Sequence, residues 1–304
     1  MPARLLVTGA AGFFGRHLCE HVRGVEAGVH IVGTDAVAGQ RCTCDEFAVL
    51  DLGDAEAVAA LVQRVAPDCV VHLAGTFGTN RALDIYQVNV LGLVALLEAV
   101  RAHAPQAAVL TAGSAAEYGL VAADRLPVTE ECPCEPVTAY GQSKLVATTI
   151  ALYYHRVRGL STMVVRPFQL LGKGVTERLA PGAFTEQLRQ AVAEGRQVIK
   201  VGNLESQRDF LDVADAVEAV WALCRQPAAG EVFNLCSGRP TRMSDLLEMM
   251  VRVARTDVRV EVDAGRLRGA ADVAAVYGSF ERLRRHCGWE PRRSLEESLR
   301  TMLT

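Results

Sequence analysis

The stretch Leu5-Leu6-Val7-Thr8-Gly9-Ala10-Ala11-Gly12-Phe13-Phe14-Gly15 constrains this chain more than any other. It is an apolar run that breaks into the pattern G-x-x-G-x-x-G, and it reads as a strand ending on a tight turn that opens a helix. Glycine suits that place because the backbone must approach a ligand and the helix must pack closely on the strand. The first turn of such a helix offers unpaired N–H groups and the positive end of a dipole, a seat for a pyrophosphate. Gly9, Gly12, Phe13, Phe14 and Gly15 are therefore candidate dinucleotide contacts. Asp35 stands twenty residues beyond Gly15, at the end of the next β-rich run. A carboxylate there accepts bonds from both ribose hydroxyls and repels a 2′-phosphate, which favours NAD; nearby Arg41 leaves NADP open. Asp51 and Leu52, closing the third run, are placed to border the adenine.

The first 165 residues alternate short β-rich runs with longer amphipathic segments. Leu5–Thr8, His30–Thr34, Phe47–Leu50, Cys69–Leu73, Ala108–Thr111 and Met163–Arg166 read as strands, and Asp84–His103 and Ala139–Arg158 as helices. This rhythm predicts an α/β fold: a Rossmann-type, doubly wound parallel sheet covered on both faces. After Pro167 it changes. Gly172, Gly174, Pro181 and Gly182 precede a helix near Ala183–Glu194; a strand at Glu231–Leu235 rejoins the sheet, and helices follow at Arg242–Ala254, Ser279–Cys287 and Ser294–Leu303. The expected division is 1–166 with 201–236 for the dinucleotide, and 167–200 with 237–304 as a smaller C-terminal substrate-binding domain.

With 304 residues, half of them hydrophobic, the chain can bury a large core. A formal charge of −3 gives no basic footprint for nucleic acid. The longest apolar run, Val88–Val100, is interrupted by Asn89, Gly92 and Glu98, so no membrane span is expected. Strand residues begin directly after Met1, leaving no room for a signal peptide; a cytoplasmic protein is the expectation. Nine cysteines include two C-x-C pairs, Cys42/Cys44 and Cys132/Cys134, with no histidine at ligand spacing. They read as free thiols rather than a metal site.

Tyr140 and Lys144 are four residues apart, which on a helix puts both side chains on one face. A free phenol near pKa ~10 is a poor base at neutral pH. A neighbouring ammonium and a positive nicotinamide ring are expected to lower it, so that Tyr140 exchanges a proton with a substrate hydroxyl or ketone while hydride moves. Lys144 would also hold the nicotinamide ribose. Ser114 follows the fifth strand, and ligands of open α/β sheets bind beyond the carboxyl ends of strands. Its hydroxyl can bond the reacting oxygen.

These residues resemble the extended short-chain dehydrogenases, the NAD-dependent epimerase/dehydratase family, over nearly the whole chain. Thr8–Gly15 is similar to the family's TGxxGxxG and Val70-Val71-His72-Leu73-Ala74-Gly75 to its HLAA motif. Val88-Asn89-Val90, the Tyr140/Lys144 pair, Arg166-Pro167-Phe168, Gln207–Val213 and Gly230–Gly238 also fit. The resemblance implies cofactor contacts at Leu73, Ala74, Gly75 and Asn89. It further implies a nucleotide-diphosphate sugar substrate, touched by Thr76, Ser114, Arg208 and, in altered geometry, Gln169 where many relatives carry asparagine. Arg208 would hold the diphosphate, since a guanidinium gives a phosphate two directed bonds. Arg268 is a second candidate, although Gly269-Ala270-Ala271-Asp272 departs from the family's arginine-proline-x-aspartate run. Pairing of two subunits through Asp84–His103 and Ala139–Arg158, as in relatives, would give a homodimer.

Dehydratases of this family carry an acid–base pair where this chain has Ala115 and Ala116, which cannot move a proton. Val201–Phe210 and Cys236-Ser237-Gly238 resemble reductases of GDP-4-keto-6-deoxy-mannose, which deliver hydride to C4 of a keto sugar. The alternative is an NAD-dependent 4-epimerase, toward which Asp35 leans. A non-catalytic NAD(P)-binding sensor is a third class, against which the intact Ser114, Tyr140 and Lys144 argue.

Overall fold

In the computed structural model, residues 2–37, 42–77, 81–195, 197–263, 265 and 273–303 are described. The strands are β1 (Arg4–Thr8), β2 (His30–Asp35), β3 (Glu46–Val49), β4 (Cys69–His72), β5 (Ala108–Ala112), β6 (Ser161–Pro167), β7 (Gln169–Leu171), β8 (Val198–Val201), β9 (Gln207–Asp212), β10 (Val232–Leu235), β11 (Pro240–Arg242), β12 (Arg259–Val262) and β13 (Ala275–Val276). The helices are α1 (Phe13–Val25), α2 (Ala55–Val65), α3 (Ala82–Tyr86), α4 (Gly92–His103), α5 (Ala139–Arg158), α6 (Ala180–Glu194), α7 (Val213–Arg225), α8 (Met243–Ala254), α9 (Glu281–Cys287) and α10 (Leu295–Leu303).

Seven strands form a sheet in the order β10-β6-β5-β4-β1-β2-β3, and every pair in it is parallel. Consecutive residues of its central strands bury on opposite faces, as a two-residue period requires. Leu5 and Val7 of β1 join Leu18, Val22, Val217 and Trp221 under α1 and α7. Leu6, between them, joins Val58, Val62, Leu93, Leu97 and Tyr154 under α2, α4 and α5. Side chains of this kind contribute roughly 1.5–3 kcal/mol each when fully buried. That two-faced apolarity makes the strands read as unbroken hydrophobic runs.

β7, β9, β11 and β13 build a second, smaller sheet, and β8 pairs with β12. Their core is separate, with Phe184 and Leu188 of α6, Phe210 of β9, Leu246, Leu247 and Met250 of α8, and Leu299 of α10. The expected division changes here. Residues 207–212, read with the dinucleotide portion, form β9 of the small sheet, because Phe210 buries in that second core; α7 and β10 then return to the large sheet.

Residues Ala82–His103 run as 22 helical residues, long and apolar enough by length and composition to cross a bilayer, where the sequence predicted an interrupted run. Leu93, Leu96, Leu97 and Val100 are buried in the core between sheet and helices, which accounts for the apolarity. Between α3 and α4 the helix widens into a π-turn at Gln87–Leu91, a feature often found at functional positions.

Candidate active site

The chain reverses direction at Gly9, whose φ of +71° lies in the region that side-chain-bearing residues avoid. A Cβ there would lie 2.6 Å from the Ala74 nitrogen, so this turn packs on the backbone that follows β4. At Gly15 a Cβ would fall 2.2 Å from the Gly9 carbonyl oxygen, so α1 closes on the turn with no space for a larger residue. Gly12 is the N-cap of α1 and no side chain caps its first turn, which leaves N–H groups for a ligand. Phe13 and Phe14 open the helix, partly buried. Asp35 Oδ2 accepts from the Ala11 N–H at 3.1 Å, which fastens the carboxylate at the end of β2 to the glycine turn itself. A cradle that a Cβ would fill, an uncapped helix start and an adjacent carboxylate fit a dinucleotide. Asp51 Oδ1 accepts from Gly53 N–H at 2.9 Å, and Leu52 is buried against Gly92 of α4.

Loop residues Leu73, Ala74, Gly75 and Thr76 follow β4. Asn89, presented by the π-turn and buried, clamps them: Oδ1 accepts from Thr76 N–H at 2.8 Å, while Nδ2 donates to the Thr76 carbonyl at 3.0 Å and to Ser143 Oγ at 2.9 Å. Lys144, one position along α5, donates from Nζ to the Ala112 carbonyl at 2.8 Å. A Cβ on Gly75 would sit 3.2 Å from that Nζ, so the ammonium stands beside the β4 loop. Thr8 Oγ1 and His72 Nδ1, 2.7 Å apart, join the carboxyl ends of β1 and β4. Burial, helped by the Lys144 charge, pushes His72 down to about 3, so this imidazole is neutral.

Thr138 caps α5 by accepting from Gly141 N–H at 3.0 Å, which aims Tyr140 from the first turn. The Ser114 hydroxyl faces the Tyr140 phenol closely enough to favour its ionised form. Here the electrostatics depart from the sequence expectation. Burial raises Tyr140 above the ordinary tyrosine range; the nearby Ser114 hydroxyl acts downward, and the charge of Glu117 acts upward. Burial also lowers Lys144, to about 8, against the upward pull of Glu117. The protein by itself therefore holds the phenol protonated. Phe77, half-exposed, sets its ring edge-on to Tyr140 at a centroid distance of 6.0 Å.

The geometry thus gathers Ser114, Tyr140, Lys144, Asn89 and the Gly75–Thr76 loop at the carboxyl ends of β4 and β5, with the glycine turn and Asp35 beside them. Gln169 and Arg208 lie on the small sheet. Gln169 pairs in register with Phe210, two residues beyond Arg208, so strand alternation puts all three on one face. Arg208 is half-buried and donates from Nη1 to the Gln207 carbonyl at 2.8 Å. Arg268 lies outside the described residues. A cleft of about 680 Å³ lined by Leu188, Val192, Arg252 and Arg300 includes none of these groups.

Several side chains escaped the sequence reading. Ser143 carried no signal beyond its place between Tyr140 and Lys144. Phe77 could have been found as the aromatic after Thr76. Asp209, inside the Gln207–Val213 motif, is a buried organiser: its oxygens accept from Ser237 N–H and Oγ at 2.7 Å, Gly238 N–H at 2.9 Å and Gly278 N–H at 3.2 Å.

Comparison with known proteins adds to this geometry. Residues 5–236 match the family described as NAD dependent epimerase/dehydratase family. The chain is 32% identical over 310 residues to GDP-6-deoxy-D-mannose reductase of Pseudomonas aeruginosa, spanning 100% of this chain and 97% of that one. It is 29% identical to dTDP-6-deoxy-L-talose 4-dehydrogenase (NAD(P)(+)) of Kitasatospora kifunensis, over 100% of this chain and 95% of that one. Among solved structures it resembles RMD from Pseudomonas aeruginosa complexed with NADPH, with a TM-score of 0.84 and 29% identity, covering 99% of this chain and 98% of that one.

Proposed function

The chain belongs to the NAD dependent epimerase/dehydratase family, and from that premise we propose that it reduces the 4-keto group of a nucleotide-diphosphate sugar. At the coarser level it is an NAD(P)-dependent enzyme of nucleotide sugars, a reductase or an epimerase. The observation that carries the finer reading is the convergence of Ser114, Tyr140 and Lys144 at the carboxyl ends of β4 and β5, with the phenol held protonated. A protonated phenol is the form that delivers a proton to an oxygen. Tyr140 gives its proton to the C4 oxygen, Ser114 bonds the same atom, and Lys144 offers donors to the ribose while its charge favours the phenolate left behind. The dinucleotide, when bound, supplies the hydride. Thr76, Gln169 and Arg208 are proposed to hold the sugar nucleotide, with Arg208 on its diphosphate.

Elimination of water has no support here. Ala115 and Ala116 carry no proton, and both oxygens of Glu117 are committed inside the core. A second reading, NAD-dependent 4-epimerisation, rests on Asp35, because a carboxylate that selects NAD suits a cofactor recycled within one turnover. A panel of UDP-, GDP- and dTDP-sugars with their 4-keto forms separates the two. Net oxidation of NADH or NADPH by a 4-keto sugar is expected; interconversion of two hexoses without net cofactor change would replace reduction by epimerisation.

Two copies are proposed to pair through the outer faces of α3–α4 and α5. Leu83, Leu91, Tyr153 and Val157 are exposed there, Leu91 by 60% and Val157 by 62%, which is a large apolar area to leave in water. Sedimentation should give a dimer that Leu91→Glu with Val157→Glu turns into a folded monomer. A wild-type monomer at micromolar concentration would exclude the pairing.

A further inference from the structure

We propose that Glu117 is a positioning residue of this reaction: it fixes the Ser114 loop against α5 and holds a buried negative charge between that loop and the helix that carries Tyr140 and Lys144. The proposal rests on the reading of Ser114, Tyr140 and Lys144 given above.

Glu117 has no exposed surface, and its two oxygens divide their work. Oε1 accepts from Ser114 N–H at 2.8 Å and from Thr148 Oγ1 at 3.0 Å. Thr148 lies one helical turn past Lys144, so one oxygen ties the loop after β5 to the helix that carries the tyrosine and lysine. Oε2 accepts from Arg166 Nε of β6 at 2.8 Å. The Ser114 hydroxyl accepts from Ala116 N–H at 3.1 Å, so the serine and Glu117 cap the short turn between them reciprocally. Space is closed as well, because a Cβ on Gly113 would fall 2.3 Å from Oε1. Behind the pair, Arg166 Nη1 donates to Tyr118 Oη at 3.0 Å, and Tyr118 donates to Asn234 Oδ1 at 2.6 Å. These bonds leave the carboxylate little freedom to move.

A carboxylate so held does more than pack. Its charge acts on both members of the pair, opposing ionisation at Tyr140 and favouring the ammonium at Lys144. The other groups facing this cluster are His72 from β4, Arg166 from β6, and Tyr118 and Cys134 from the following loops. His72 is neutral, and the raised values of Tyr118 and Cys134 keep both protonated. Arg166 is the one opposing charge among them, and it lies on the far oxygen of Glu117. Removing the carboxylate charge therefore lowers the protonation midpoints of both Tyr140 and Lys144.

The sequence holds three lysines, Lys144, Lys173 and Lys200, so protein grown on 13C-lysine gives a side-chain spectrum simple enough to titrate. The Lys144 signal is assigned by its loss in Lys144→Met. We expect Glu117→Gln to move its midpoint down by about one unit, and Glu117→Asp, which keeps the charge, to restore most of it. Glu117→Gln should also lower kcat with GDP-4-keto-6-deoxy-mannose and NADH about ten-fold or more, leaving the Kd for NADH unchanged. If Glu117→Gln does not fold, Glu117→Gln with Arg166→Met removes both charges together, a change that buried pairs often tolerate; a downward midpoint is again expected. A Lys144 midpoint unchanged in the folded variant overturns the proposal. The titration needs no substrate, so it stands apart from the function reading, which fails instead if Tyr140→Phe retains turnover.

Discussion

Replacing Gly9 by alanine and, separately, Gly24 by alanine should move stability in opposite directions. At Gly9 a left-handed backbone costs a side-chain-bearing residue roughly 1–2 kcal/mol. The new Cβ would also meet the Ala74 nitrogen at 2.6 Å, with Ala74 Cα and the Leu73 carbonyl carbon at 2.8 Å. Carbon contacts prefer roughly 3.5–4.0 Å, and these are backbone atoms held by the Leu73 N–H bond to the Thr8 carbonyl, so they cannot swing aside. Overpacking of this kind costs roughly 1–3 kcal/mol more. The total expected loss is about 2–5 kcal/mol. Gly24 lies in the last turn of α1 with nothing within 4 Å of a Cβ, so alanine there should gain roughly 0.5–1 kcal/mol. Urea unfolding followed by circular dichroism reads both changes as midpoint shifts. NADH fluorescence titration should show binding weakened about ten-fold or more in Gly9→Ala, a loss of about 1.4 kcal/mol, and unchanged in Gly24→Ala. A Gly9→Ala protein as stable as wild type with intact NADH affinity would refute the close packing of the two loops that frames the cofactor site.

Asp35→Ser should raise NADPH affinity relative to NADH by about ten-fold or more, because the carboxylate that repels a 2′-phosphate is gone; parallel Kd measurements with an unchanged ratio would remove Asp35 from cofactor choice. Lys144 in the folded protein is held by burial at about 8, below the ordinary value of 10.5. Below both values the fold bears the full penalty of a buried ammonium; between them the unfolded chain binds more protons, so stability rises with pH. Lys144→Met should therefore gain up to about 3 kcal/mol at neutral pH, less near pH ~10, while losing activity. A gain that does not shrink with pH would refute burial as its cause.

The large sheet was legible because its strands are buried on both faces: Leu5, Leu6 and Val7 read as one apolar run whichever face each takes. α5 was legible to the residue, Ala139–Arg158, since Thr138 starts it and Gly159, in the left-handed region, stops it. The small sheet was not. β7, β11 and β13 have two or three residues each, too short for any period to show, and β9 spends its alternation on hydrogen-bonding groups such as Asp209. In the site, the spacing of Tyr140 and Lys144 and the glycine pattern pointed to residues that the fold brings together. The direction of the Tyr140 shift did not follow from spacing. It depends on burial and on Glu117, which stands one place beyond the Ala115/Ala116 pair. A carboxylate whose partners lie on α5 and β6, thirty-one and forty-nine residues away, leaves no local trace in the chain.

Hydride transfer assisted by Tyr140 is tested most directly with NADH or NADPH carrying deuterium at the transferable position and GDP-4-keto-6-deoxy-mannose as acceptor. Mass spectrometry and NMR of the sugar should find deuterium at C4 of the reduced product with wild type, and no product with Tyr140→Phe, although that variant still binds the dinucleotide. Unlabelled product, or label transferred as fast by Tyr140→Phe, would contradict a phenol-assisted reduction at this crevice.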